Sequence, residues 1–94
     1  NGLTPLMVAL RFISDTNVIN NLLDLGANVN IETNNGWTPL MVALRFISDT
    51  NVINKLLDLG AKVNIQSDKG TTPLMIAIEF STPEIIKKIR SMVR

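Results

Sequence analysis

Cysteine, histidine and tyrosine are all missing from this sequence of 94 residues. Without cysteine there is no disulfide framework, no thiolate nucleophile and no cysteine-ligated metal. Without histidine, Ser-His-Asp and Cys-His catalysis, histidine-ligated metals and a pH switch near neutrality are excluded. No glycine cluster resembles a phosphate-binding loop. We therefore predict that the protein is not an enzyme, and we expect no catalytic residues, no metal site and no cofactor.

Strong charge and long apolar runs are missing as well. Nine Lys and Arg against eight Asp and Glu leave a net charge of +1, which argues against partners that are nucleic acids or membrane surfaces. The longest apolar runs, such as Leu6 to Leu10, fall far short of the roughly 18 residues that span a bilayer. No signal peptide precedes them, and the chain opens on Asn1-Gly2, so we expect a fragment or processed product. The composition is of a cytoplasmic type, but the sequence leaves the compartment unknown.

The most informative feature that is present is an internal repeat. The tetrapeptide Thr-Pro-Leu-Met occurs at residues 4–7, 38–41 and 72–75, and residues 3–36 match residues 37–70 at 27 of 34 positions. A third unit is shorter and diverged, and its polar helix resembles a cap. We predict one domain over residues 1–94, with repeats at about 1–34, 35–68 and 69–94. So close a duplication fits either a recent natural duplication or an engineered array.

Each repeat carries the signals of two short helices and a turn. Thr4 can cap a helix that has Pro5 at its first position, and apolar residues then recur at helical spacing. Residues 14–17 break this helix and can cap a second one. Gly26 can end the second helix in a left-handed conformation, and Asn35-Gly36 is a turn dipeptide. The pattern predicts an all-α solenoid of about three helix-turn-helix repeats with short β-hairpin-like loops, in which each unit needs its neighbours to fold.

The residues resemble those of the ankyrin repeat family. The resemblance is carried by residues 36–43, Gly-Trp-Thr-Pro-Leu-Met-Val-Ala, and by residues 52–64, which contain Leu-Leu-Asp-Leu-Gly-Ala-Lys-Val-Asn. Two departures mark the chain as a 34-residue variant. Met7, Met41 and Met75 stand where the family has histidine, so an apolar contact should replace its hydrogen bonds. One extra residue lies near residues 13–14 and again near residues 47–48.

The resemblance implies a non-catalytic scaffold that binds a protein partner of unknown identity on a concave face. Carried over by position, that face consists of turn tips and first helices. Its residues are Arg11, Phe12, Asn34, Asn35, Trp37, Arg45, Phe46, Asp68, Lys69, Thr71, Glu79 and Phe80, with Leu3 in the first repeat.

Some of these residues allow two interpretations. Trp37 replaces Leu3 of the first repeat, and it is either an interface anchor or a side chain that packs flat on the neighbouring loop. The three phenylalanines, one per repeat, should form an aromatic ladder that either closes the first helices over the second or faces a partner. Arg11 and Arg45 give way to Glu79, which fits a solvated face or partner selection by charge.

The two ends of the array carry two further hypotheses. Because the first repeat nearly copies the second, its outer face should be apolar and exposed. This predicts either further repeats upstream in a parent protein or end-to-end self-association into homo-oligomers. The residues predicted for this face are Leu3, Leu6, Leu10, Ile19 and Leu23. At the other end, residues 87–94 carry four basic side chains, which either complement the helix dipole or bind an acidic or phosphate partner. The alternative to a recognition scaffold is an engineered or model array without a selected ligand.

Overall fold

A computed structural model describes residues 2–93 of the chain. Within that range it contains six α-helices and no β-strand. The helices are α1 (Pro5–Val8), α2 (Thr16–Asp24), α3 (Pro39–Phe46), α4 (Thr50–Asp58), α5 (Pro73–Phe80) and α6 (Pro83–Met92), and a π-helical segment, Ala9–Ile13, continues α1 without a break. The all-α repeat fold that the sequence predicts is therefore confirmed.

The helices begin where the sequence offers caps. The hydroxyls of Thr4, Thr38 and Thr72 each accept a hydrogen bond from the methionine amide three residues later, at 3.2 to 3.3 Å. In each case a proline occupies the first turn, where its missing N–H is not needed. Asp15 and Asp49 cap α2 and α4 by accepting a hydrogen bond from the asparagine amide two residues later, at 2.9 Å in both. Local sequence therefore sets the start of every helical pair.

The helical pairs stack, with α3 in the centre of the first-helix layer, where it contacts α1, the π-helical segment and α5. Each repeat has two apolar sides. One faces the preceding repeat and carries Val8 in the first repeat and Val42 in the second. The other faces the following repeat and carries Met7, Met41 and Met75. Val42 and Met41 are buried because the middle repeat has a neighbour on both sides.

The turn between one repeat and the next is tight. The Thr33 amide donates to the Trp37 carbonyl at 2.8 Å, and the Gly36 amide donates to the Thr33 carbonyl at 2.9 Å. The next tip repeats both bonds between Ser67, Gly70 and Thr71, and the Asp68 amide links the two tips by donating to the Asn35 carbonyl at 2.9 Å. We call residues 33–37 and 67–71 the tips. They close like hairpins but, within the described residues, have no paired strands.

The segments where the sequence predicts an extra residue, near residues 13–14 and 47–48, differ between the two near-identical repeats. In the first, Ala9–Ile13 forms a π-helical turn in which the Ser14 amide donates to the Ala9 carbonyl at 2.8 Å. In the second, α3 ends at Phe46 and Ile47 turns inward. As a result Ile13 is 52% exposed and Ile47 only 8% exposed, although residues 4–15 and 38–49 are identical.

The prediction of the exposed N-terminal face was wrong for four of its five residues. Leu3 is exposed, but Leu6, Leu10, Ile19 and Leu23 are buried. Neighbouring positions on a helix point about 100° apart. Leu10, Ile19 and Leu23 therefore lie on the side of their helices that faces the second repeat, and not on the outer side. Their counterparts in the third repeat, where the described chain continues no further, include the exposed Ile78 and Arg90.

The side of the first repeat that faces away from the second carries Val8 and Val18. They are 36% and 37% exposed, whereas Val42 and Val52, their counterparts in the middle repeat, are 4% and 2% exposed. This difference in exposure identifies the surface that is covered by the preceding repeat in the middle repeat and is exposed in the first. We call Pro5, Val8, Val18 and Leu22 the N-face.

The C-terminal end is capped in one layer only. In α6, Arg90 occupies the position of Leu57 and gives the second helix a polar outer side. In α5, Met75 and Ile78 remain more than half exposed. Arg94, the last residue of the predicted basic segment, lies outside the described residues, as does Asn1.

Candidate functional site

Arginine and phenylalanine side chains alternate across the first-helix layer. The Arg11 Cζ lies 3.9 Å from the centroid of the Phe46 ring and 4.7 Å from that of Phe12. The Arg45 Cζ lies 4.2 Å from the Phe80 centroid and 4.8 Å from that of Phe46. Each guanidinium therefore links the aromatic ring of its own repeat to that of the next by cation–π contacts. We call this row the Arg–Phe ladder.

The ladder refines both sequence interpretations of its residues. Phe12 and Phe80 are exposed and Phe46 is half-buried, so the rings do not simply close one helix over another. The arginines are not free surface charges either, because each lies over two rings. Within residues 2–93 no carboxylate lies within ion-pair distance of either guanidinium. Their N–H edges remain available to a partner.

A groove of about 290 Å³ lies beside the ladder, between the first and second repeats. Val42 forms its buried floor, while Trp37 and Leu3 contribute apolar walls. Arg11 and Phe46 of the ladder also line it. We call it the Trp37 groove; its residues are Leu3, Arg11, Thr33, Asn35, Trp37, Val42 and Phe46.

The backbone of Trp37 is fixed on both sides. Its amide donates to the Thr33 hydroxyl at 3.1 Å, and its carbonyl accepts from the Thr33 amide at 2.8 Å. The side chain is half-buried and packs on the hydrophobic core. A second, more polar pocket of about 390 Å³ on the tips is lined by Asn35, Trp37, Ser67, Asp68, Lys69 and Thr71. Trp37 therefore contributes to two adjoining cavities, so neither sequence interpretation of it is complete.

All twelve residues predicted for the concave face are at least partly exposed. The Trp37 groove brings together Arg11, Asn35, Trp37 and Phe46, and the tip pocket adds Asp68, Lys69 and Thr71. The remaining five line neither cavity: Phe12, Arg45 and Phe80 belong to the Arg–Phe ladder, and Asn34 and Glu79 belong to neither the cavities nor the ladder. The sequence missed Thr33, whose hydroxyl signals an ordinary turn, and Val42, which the apolar pattern assigns to the core.

The second helices carry a different set of inter-repeat contacts. The Lys55 ammonium lies 2.8 Å from the Asp24 carboxylate of the preceding repeat. One repeat further on, the Lys88 ammonium lies 3.7 Å from Asp58 and donates to the Asn54 side chain at 2.8 Å. Lys88, one of the C-terminal basic residues, thus links α6 to α4. These exposed pairs align neighbouring repeats and stabilise them by at most about 1 kcal/mol each.

The described part of the chain contains no metal-ligating cluster, no unsatisfied buried polar side-chain atom and no membrane-spanning helix. No cluster of three metal-ligating side chains occurs in residues 2–93, and no buried side-chain nitrogen or oxygen there lacks a hydrogen bond. The longest helix in that range has ten residues, about half of what a bilayer requires, so none qualifies as a membrane span.

Stacked helical pairs, turn tips that project between them and a grooved first-helix layer define a helical repeat solenoid. The family model for ankyrin repeats, in three copies, matches residues 1–67, which is well over half of the sequence. The chain therefore belongs to the ankyrin repeat family. Members of this family are generally protein–protein interaction modules, and they typically act as non-enzymatic scaffolds. No curated protein matches the chain.

Proposed function

We propose that this protein is a non-catalytic scaffold that binds a partner protein through the tips and the first-helix layer. The observation that carries the proposal is the Trp37 groove beside the Arg–Phe ladder. It combines a fixed tryptophan, exposed aromatic rings and guanidinium groups that have no acidic partner among residues 2–93. Tryptophan and arginine are the residue types that most often dominate binding energy at interfaces.

Rigidity supports the same proposal. The tips are held by backbone hydrogen bonds, and the ladder side chains are held by their neighbours in the adjacent repeat. A surface that is already ordered loses little conformational entropy when a partner binds. Docking should therefore leave the backbone of the array unchanged.

The test is a selection of binders from a library of random peptides, with the complete chain as bait. We expect selected peptides to shift the NMR signals of the tips and first helices. We also expect Trp37→Ala to weaken the binding of these peptides by at least about tenfold. Leu59→Ala is the matched control, because it truncates an exposed apolar side chain at the end of α4. Binders that map to the second helices and respond equally to both substitutions would refute the proposal.

A second candidate is an array without a selected ligand that associates end to end. It is favoured by the N-face, whose valines are exposed only in the first repeat, and by a neighbouring apolar groove of about 350 Å³ that includes Pro5 and Leu22. The surface available in a second copy is the outer side of α5, where Met75 and Ile78 are exposed. Burying these apolar surfaces against each other is favourable.

Sedimentation across a wide concentration range tests this candidate. We expect the average mass to rise with concentration and Val18→Lys to abolish the rise, because it places a charge in the contact. Leu59→Lys, the same change outside both end faces, should leave association intact. A strict monomer at high micromolar concentration would exclude the candidate.

A further inference from the structure

We propose that the Trp37 groove binds an acidic peptide segment, in which an apolar side chain fills the groove and an adjacent carboxylate pairs with Arg11. This inference rests on the proposed function and adds the chemistry of the partner. It follows from the size of the groove, the charges around it and the geometry of the ladder.

The size of the groove limits what can enter. At about 290 Å³ it lies just below the volumes that hold whole small molecules, roughly 300 to 1,000 Å³. Its floor and walls, Val42, Trp37, Leu3 and Phe46, are apolar. One large apolar side chain of a peptide, such as phenylalanine or leucine, suits this space, because burying it removes apolar surface from water on both partners.

The charge at the groove selects the neighbour of that side chain. The guanidinium of Arg11 lines the groove, and its Cζ lies 3.9 Å from the centroid of the Phe46 ring. A guanidinium that contacts a ring in this way can still bind a carboxylate through its N–H groups. In the part of the chain that the structure describes, Arg11 makes no ion pair or side-chain hydrogen bond. A carboxylate of the partner would supply the negative charge that pairs with the Arg11 guanidinium.

The same row gives the bound segment a direction. Arg45 provides a second guanidinium one repeat further along the ladder, and Glu79 occupies the corresponding position in the third repeat. Acidic residues of the partner should therefore lie over the first two repeats, and acidic residues over the third should weaken binding by like-charge repulsion.

Trp37 makes the inference directly measurable. It is the only tryptophan, and the chain has no tyrosine, so its emission reports on the groove. The probes are short peptides with the core Glu-Phe-Glu, Gln-Phe-Gln, Lys-Phe-Lys or Glu-Ala-Glu between glycine and serine residues. We expect a saturable emission change with Glu-Phe-Glu, at least about tenfold weaker binding of Lys-Phe-Lys, and loss of binding for Glu-Ala-Glu.

Two protein variants separate pairing with Arg11 from general charge attraction. Arg11→Gln should weaken the Glu-Phe-Glu peptide about fivefold more than it weakens the Gln-Phe-Gln peptide, because only the acidic peptide loses a charge pair. Lys62→Gln, which removes the same charge from an exposed position outside the groove, should change neither. Thermal unfolding of each variant checks that the fold is intact. Added salt should weaken only the acidic peptide.

The outcomes also distinguish this inference from the proposed function. Selected peptides that need Trp37 but carry no acidic residue would overturn the inference and leave the scaffold function standing. Equal affinity for all four test peptides would overturn it as well. Tighter, Arg11-dependent binding of a short oligothymidine than of any peptide would assign the groove to nucleic acid instead. If no peptide from any source engages the tips, the scaffold function itself fails.

Discussion

At the scale of single residues, the near-identical repeats serve as internal controls. The same side chain occurs in two or three structural contexts, so its effect can be separated from its identity. Gly36 and Gly70 illustrate this. Both have a left-handed backbone, with φ of +80° and +81°, but only Gly36 is packed against the neighbouring tip.

We predict that Gly36→Ala destabilises the protein more than Gly70→Ala. Both substitutions force a side chain into a left-handed conformation, which costs about 1–2 kcal/mol. At Gly36 the new Cβ would also lie 3.2 Å from the Ser67 Cα and 3.3 Å from the Asp68 amide nitrogen, whereas at Gly70 nothing lies within 4 Å. Urea unfolding measures the difference. Equal losses would show that contact between the tips adds nothing to stability.

The methionines at the family's histidine position make a second comparison. Met7 and Met41 are fully buried, and Met75 is 55% exposed because no repeat follows it among the described residues. The expected replacement of hydrogen bonds by apolar contact therefore fits the first two.

We predict that Met41→Ala lowers the free energy of unfolding by about 2–5 kcal/mol, since it leaves a cavity in the core. Met75→Ala should change it by less than about 0.5 kcal/mol, as is usual for exposed positions. Chemical denaturation of the two variants measures both values. A large effect of Met75→Ala would mean that this side chain is covered in solution, as end-to-end association would require.

At the scale of helices, local sequence predicts where elements begin but not how they end. The caps at Thr4, Thr38 and Thr72 act within four residues, so their signal is contained in the sequence itself. The segments after these caps are identical in the first two repeats up to residues 15 and 49, yet one contains a π-helical turn and the other does not. The environment of each segment, which no local pattern contains, decides between them.

We predict that Ile47→Ala costs about 2–4 kcal/mol of unfolding free energy and that Ile13→Ala costs less than about 0.5 kcal/mol. The two isoleucines have the same neighbours in sequence, but only Ile47 is buried. Thermal and urea unfolding of the two variants provide the measurement. If both variants lose the same stability, the π-helical turn does not expose Ile13 in solution.

At the scale of the whole molecule, the repeat period was enough to predict the solenoid, because units of this size fold only by stacking. It was not enough to say which side of a helix faces which neighbour. Val18 and Ile19 are adjacent and both apolar, so the sequence could not distinguish the exposed position from the buried one. The Arg–Phe ladder was hidden for a similar reason: arginine on a helix surface usually means solvation, and the ring beneath it belongs to another repeat.

Stacking also determines how a destabilising substitution in one repeat affects the stability of the other repeats. The middle repeat packs against both neighbours, since α3 contacts α1, the π-helical segment and α5, whereas the first repeat packs against the second. Leu56 and Leu22 are equivalent leucines in these repeats, fully buried in the middle one and partly buried in the first. When each repeat is stabilised only by its nearest neighbours, destabilising the central repeat removes the support of both terminal repeats. Destabilising a terminal repeat leads mainly to local unfolding of that repeat.

We therefore predict different patterns of amide hydrogen exchange for Leu56→Ala and Leu22→Ala. In Leu56→Ala, protection should fall throughout α1 to α6, since the first and third repeats lose their common support. In Leu22→Ala it should fall mainly in α1 and α2, while α5 and α6 keep their protection. If Leu22→Ala lowered protection in α6 as much as in α2, the three repeats would be a single cooperative core, and the binding surface could not soften at one end while the other end stays ordered.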